Sequence, residues 1–260
     1  MAKVRADEIG PLPLKNVASF VHLAMRLVDR DPRVPGIGVF YGPSGYGKTE
    51  ASIYAGNKTR ALRIEMGVSW TRKILLESIL FELEAPARNK ETAAQMTARI
   101  KQLLAEDRRR LLIIDEAGFL FRGRHYEAIR EIQKATDSPI LLIGEEKLSD
   151  EIREIENFSN LVLNWVAAQP CDIADTQALA AAFCPGLILD GDLLGEIRAQ
   201  SQGRARRIVT NLNDIREVAR NRGLQRIGLG DWTDGYYTGE APLPRTADQL
   251  KLIALKPKAA

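Results

Sequence analysis

The sequence predicts an α/β fold: a doubly wound parallel sheet followed by a small helical lid. Strand-like apolar runs of four to six residues alternate with helical segments over residues 36–169. Those runs are continuously apolar rather than alternating, as suits parallel strands buried on both faces. Past Pro170 the strand signals stop and helical periodicity alone continues, as expected of a lid behind an α/β core.

Residues 1–35 combine an arm interrupted by Pro11 and Pro13 with one amphipathic helix over 17–28. Asp31-Pro32 and Pro35-Gly36 then close that segment with turn signals. Strands are predicted at 37–41, 61–66, 111–114, 140–143 and 161–166. Helices are predicted at 48–55, 71–83, 92–106, 125–135 and 147–155. Three lid helices follow at 174–183, 191–202 and 205–221. In the last, Ile208, Leu212, Ile215 and Ala219 recur at helical spacing and make one apolar face. The domain reading is therefore an N-terminal arm and helix (1–35), an α/β core (36–169), a lid (170–226) and an irregular tail (227–260). That tail carries Gly228, Gly230, Gly235, Gly239 and the closing Lys256-Pro257-Lys258.

Composition narrows the function classes. The 260 residues are 45% hydrophobic and 27% charged, the balance of an ordinary globular protein. No apolar run approaches the roughly 20 residues that cross a bilayer, and residues 1–15 lack the apolar core of a secretory signal. No membrane partner is expected. Cys171 and Cys184 have neither metal-ligand nor disulfide spacing, which suits a reducing cytoplasm. The net charge of +3 is too small by itself to imply a nucleic-acid partner.

The chemistry is concentrated in Gly42-Pro43-Ser44-Gly45-Tyr46-Gly47-Lys48-Thr49, which fits GxxxxGK[ST] at every fixed position. It lies between a predicted strand and a predicted helix, the context a phosphate-binding P-loop requires. Glycines let successive N–H groups curl around phosphate oxygens, and the helix N-terminus adds partial positive charge. Lys48 is expected to reach the β- and γ-phosphates of ATP. The Thr49 hydroxyl is expected to ligate Mg²⁺, with Glu50 alongside in the first turn. A second motif, Leu111-Leu112-Ile113-Ile114-Asp115-Glu116, ends an apolar strand in two acids. Asp115 is expected to hold the metal through its water shell, and Glu116 to polarise the attacking water as general base. Gly203-Arg204-Ala205-Arg206-Arg207 opens the last lid helix, where cations oppose the helix dipole. Arg206 is the residue expected to reach back to the γ-phosphate. Lys48, Glu116 and Arg206 thus form the expected catalytic set.

With GPSGYGKT, LLIIDEAGFL, REIQKATDSPILLIGEEKL and QGRARRIV in view, the chain resembles the AAA+ ATPases of DNA transposition. That group includes the phage Mu B-like proteins and the wider TnsC, IstB and ExeA-like ATPases. The resemblance covers roughly residues 15–222, with three departures. Only some forty residues precede Gly42, where the Mu B-like protein carries a helix-turn-helix domain, so any DNA grip is expected from the core. Glu145 stands where sensor 1 is usually neutral, and an acid there is repelled by a γ-phosphate unless a cation pairs with it. Ser159-Asn160-Leu161 replaces a Ser-Arg sequence, leaving Arg153 or no residue as the trans-acting finger. Slow hydrolysis, unless stimulated, is the expectation.

The resemblance implies a DNA-facing surface after the second strand, at Thr71, Arg72 and Lys73, with Arg122 and Arg124 as a further basic cluster. Seven arginines against two acids lie between Arg204 and Arg226. Lys and Arg contacts to phosphate supply non-specific affinity, and a helical ring or filament would repeat a small patch along duplex DNA. The implied function is an ATP-dependent, sequence-nonspecific DNA-binding ATPase that self-associates on target DNA and regulates a transposase. The setting would be a bacterial or phage-infected host cytoplasm. The alternatives are an ExeA-like ATPase of a membrane or secretion system, and a nucleotide-switched adaptor that binds no DNA.

Overall fold

The computed structural model describes residue 12 and residues 14–240. The predicted arm at 1–11 and Pro13, and the tail at 241–260, lie outside the described residues. Helix α1 (Lys15–Val28) opens the described chain and buries Asn16, Val17, Phe20, Leu23, Ala24 and Leu27, a spacing that keeps one face inward. Strand β1 (Ile37–Tyr41) follows, then α2 (Lys48–Thr59), β2 (Leu62–Glu65), α3 (Arg72–Glu82) and α4 (Ala93–Glu106). Next come β3 (Leu112–Asp115), α5 (Gly118–Arg122), α6 (Tyr126–Thr136), β4 (Ile140–Gly144), α7 (Leu148–Arg153), α8 (Glu156–Ser159) and β5 (Val162–Ala167).

The five strands form one parallel sheet in the order β2-β3-β4-β1-β5. Alternation along each strand sends side chains to two separate layers. Ile37, Val39, Leu62, Ile64, Leu112, Ile114, Ile140 and Leu142 pack with α3, α4 and α6. Phe40, Ile113, Leu141 and Ile143 pack on the other face, under α1 and α2. Gly38 permits the close seating of α1 on β1: a Cβ there would stand 2.7 Å from Leu27 Cδ1. The chain leaves β1 toward β2 on one side and returns past β1 to β5 on the other. The crevice beside the C-terminal end of β1 is therefore a topological switch point.

The lid holds α9 (Ile173–Phe183), α10 (Gly191–Gln200) and α11 (Ala205–Arg222) around Leu179, Leu193, Ile197, Ile208, Leu212 and Ile215. It is not purely helical. Two-residue strands β6 (Ile188–Leu189) and β7 (Arg226–Ile227) pair in parallel, which periodicity cannot reveal because two residues span only a single repeat of the alternation. Ile227 and Trp232, read from sequence as the start of an irregular tail, are buried among the lid helices. Asn211 pairs with both the N–H and the carbonyl of Tyr237 and so ties this segment down. The short helices α5 and α8 also escaped the sequence pattern. They are joined by packing: the Phe121 and Phe158 rings meet edge to face with centroids 5.2 Å apart.

Candidate nucleotide site

Parallel strands align their C-terminal ends, so the residues just after β1, β3 and β4 meet at one edge. Tyr41 pairs with Gly144, the Gly42 N–H donates to the Gly144 carbonyl at 3.3 Å, and the Ala117 N–H donates to the Ile143 carbonyl at 2.7 Å. This register gathers the P-loop, Asp115-Glu116 and Glu145 at a single crevice.

The loop between β1 and α2 turns on glycines. Gly45 and Gly47 have φ of 86° and 77°, a region that side chains disfavour. Gly47 is the N-cap of α2 and supplies no capping side chain. The N–H groups of Gly47, Lys48 and Thr49 make no backbone hydrogen bond among the described residues. Open donors at a helix N-terminus form an anion site. Lys48 Nζ lies over the loop, donating to the carbonyls of Gly42 at 2.7 Å and Pro43 at 2.8 Å. Burial lowers its pKa, while Glu145, Glu116, Asp115 and Glu146 act in the opposite sense. A half-buried cation beside unpaired donors suits a polyphosphate, so these residues fit ATP.

Across the crevice, Asp115 is buried at the end of β3. Its Oδ1 accepts from the Glu116 N–H at 2.9 Å, and its Oδ2 accepts from Arg63 at 3.0 Å. Glu116 sits at φ 52°, a left-handed conformation that costs a non-glycine residue energy and turns it out of the strand. Burial raises the Glu116 pKa, and the charges of Asp115 and Glu145 push it further up against the pull of Lys48. A carboxyl held on the basic side of its usual range, facing a phosphate loop, is the chemistry of a general base. Among the described residues, no group of three or more His, Cys, Asp or Glu is arranged to hold a metal. A Mg²⁺ ion that took most of its ligands from phosphates and water would need no such cage.

The lid docks directly on this loop. The Arg206 N–H donates to the Gly45 carbonyl at 3.1 Å, and Arg204 Nη1 donates to the Ser44 carbonyl at 2.9 Å. The Arg204 guanidinium also lies 6.0 Å from the Tyr46 ring centroid. Sequence reasoning named Arg206 and missed Arg204, although both stand in the same basic run. Asn16 was missed without any sequence signal. Its amide donates to the carbonyls of Tyr46 and Gln169 and its oxygen accepts from the Gln169 N–H, joining α1, the P-loop and the chain leaving β5.

Residues 31–152 match the family model described as "AAA domain". The fold is that of an AAA-type P-loop ATPase. A search of curated proteins finds the replication factor C large subunit of Methanothrix thermoacetophila, 26% identical over 222 residues. That match takes in 82% of this chain but only 41% of the relative, so the chain spans under half of that protein's length. Among solved structures, this AAA-type fold resembles the Aeropyrum pernix Orc1 protein in complex with DNA, with a TM-score of 0.58 and 17% identity. The alignment covers 85% of this chain and 64% of that one. It also resembles the Aeropyrum pernix ORC2 protein (TM-score 0.68, 14% identity, 86% and 68% covered). A third likeness is Cdc6p from Pyrobaculum aerophilum (TM-score 0.62, 16% identity, 87% and 69% covered).

The residues expected to face DNA lie outside the crevice. Thr71 caps α3 by accepting from the Ile74 N–H at 3.3 Å. Arg72 and Arg124 converge on one carboxylate, Glu127, each at 3.3 Å. Arg122 pairs with Glu151 at 3.3 Å, and Lys73 with Glu77 at 3.7 Å. The structure thus unites Arg72 and Arg124 in one patch and gives all four cations an acidic partner. Arg153 stacks over the Trp165 ring, 5.4 Å from its centroid, while Glu145 makes no ion pair among the described residues. No helix among the described residues is long and apolar enough to cross a membrane.

Proposed function

We propose that this AAA-type protein binds Mg-ATP between residues 42–49 and Asp115-Glu116, hydrolyses it slowly, and uses the bound triphosphate to assemble on duplex DNA. The observation that carries the reading is the uncapped N-terminus of α2, with Lys48 held over it and the strained Glu116 opposite. When bound, Mg²⁺ neutralises phosphate charge and Glu116 removes a proton from the attacking water. Thr49 and Asp115 would hold the metal, Lys48 would meet the β- and γ-phosphates, and Arg206 would reach the γ-phosphate.

Slow turnover follows from the crevice charge. Glu145 adds a negative group to a site that already holds Asp115 and Glu116, and it opposes the approach of a γ-phosphate. The DNA role is supported by the basic patch at Arg72 and Arg124 and by the likeness to a protein whose structure holds DNA. At the finest level we read the chain as a regulator that assembles into a ring or filament on target DNA and activates a transposase. Support for this comes from the motifs shared with transposition ATPases. Equilibrium titration with Mg-ATP, followed by gel shifts with ATP, ADP or no nucleotide, tests the reading. ATP-dependent, salt-sensitive binding to unrelated duplexes is expected, and Lys48→Ala should abolish it. Retention of nucleotide without any DNA binding at low salt would leave the adaptor reading standing instead.

A further inference from the structure

Arg63 breaks the pattern of its own strand. Register pairs it with Ile113, so it projects to the face where Phe40, Ile113, Leu141 and Ile143 pack under α1 and α2. An aliphatic side chain would continue that layer, yet the position holds a fixed cation. Its Nη2 donates to Asp115 Oδ2 at 3.0 Å and its Nε donates to Ser52 Oγ at 2.9 Å. Ser52 is fully buried, and its hydroxyl donates in turn to the Thr49 carbonyl at 2.7 Å. One guanidinium therefore contacts Asp115 directly and reaches the Thr49 turn through a single hydroxyl. Asp115 is only 3% exposed, and Glu116 and Glu145 add charge of the same sign nearby.

A buried carboxylate needs a positive partner in every state of the site, including the state that precedes Mg²⁺. We infer that Arg63 is a positioning residue that serves as resident counter-cation for Asp115, enabling the site to hold triphosphate before its metal arrives. Arginine suits this role because its charge is fixed and its fork spans two acceptors at once. Each Asp115 oxygen accepts one hydrogen bond from the protein and keeps a lone pair for metal-bound water. The inference rests on the reading of residues 42–49 as a triphosphate site.

The test is the affinity for a non-hydrolysable, ribose-labelled fluorescent ATP analogue, measured with Mg²⁺ and with chelator. Arg63→Gln keeps hydrogen-bonding groups but removes the charge. Metal-free affinity should fall about tenfold, while affinity with Mg²⁺ falls less than about threefold, because the metal supplies the missing charge. Equal losses in both conditions, or none, would overturn the inference. A second comparison does not depend on the folding of that variant. Asp115→Asn leaves Arg63 with only the exposed Glu65, 3.5 Å from its Nη2, so metal-free affinity should exceed that of the pair Arg63→Gln/Asp115→Asn by about tenfold. Equal affinities would again overturn it. Failure of the unsubstituted protein to bind the analogue at all would instead sink the nucleotide reading beneath it.

Discussion

The backbone N–H of Arg206 donates to the carbonyl oxygen of Gly45, so the last lid helix begins on the nucleotide loop itself. The two arginines around this contact have separable consequences. Arg204 holds the Ser44 carbonyl, whereas the Arg206 side chain is exposed. Arg206→Ala should weaken ATP binding about tenfold more than ADP binding, the size of one lost charge-assisted contact. Arg204→Ala should weaken both nucleotides alike. Calorimetric titration with ATP and ADP separates these outcomes, and equal losses for Arg206→Ala would remove its sensing role.

Glu116 carries a pH prediction. Burial first, then the charges of Asp115 and Glu145, raise its pKa, and a general base must be deprotonated to work. Hydrolysis should therefore decline on acidification from a higher pH than an ordinary glutamate would give. Glu145→Gln removes one of the charges responsible, so the acid limb of the pH–rate profile should move to lower pH. Glu116→Gln should keep nucleotide binding while lowering turnover about 10²-fold or more. An acid limb unmoved by Glu145→Gln would separate Glu145 from the base.

Glu127 restrains two cations at once, Arg72 and Arg124. Releasing them should strengthen DNA binding. Glu127→Gln is expected to steepen the dependence of log affinity on log salt by about one to two, one phosphate contact per freed charge. Filter binding across a salt series reads this slope directly. No change, with Arg72→Ala and Arg124→Ala also silent, would move the DNA surface elsewhere.

Asn16 is buried and makes three hydrogen bonds that no other side chain among the described residues duplicates. Asn16→Ala leaves the Tyr46 and Gln169 carbonyls without this donor and should cost about 2–3 kcal/mol of stability. Because Tyr46 belongs to the P-loop, nucleotide affinity should fall as well. Denaturant melts with and without Mg-ATP check both effects. A stability loss with unaltered affinity would confine Asn16 to a structural role.

The sheet was legible because its strands are buried on both faces and read as unbroken apolar runs. The bounds 37–41 and 140–143 lie within one residue of β1 and β4. The lid helices were legible because Ile208, Leu212, Ile215 and Ala219 repeat at helical spacing, and all four are buried. The short helices α5 and α8, and the paired strands β6 and β7, were not legible. Each is shorter than the pattern that would announce it and exists through contacts with remote segments. Local chemistry likewise offered Lys48, Thr49, Asp115 and Glu116 as candidates, since a glycine-rich loop and an acidic strand end are each contiguous in the chain.

From the residues alone came the α/β class, the candidate phosphate loop and the candidate acids, because each depends on neighbours a few positions apart. Folding alone decided that Arg63 would meet Asp115, that Arg204 would reach Ser44, and that Arg72 and Arg124 would share Glu127. Those pairs lie on separate elements or distant stretches of chain, except Arg124 and Glu127. Hydrogen bonds and ion pairs act over a few ångströms in space, so apart from Arg124 and Glu127, three residues apart, no spacing along the chain could announce them.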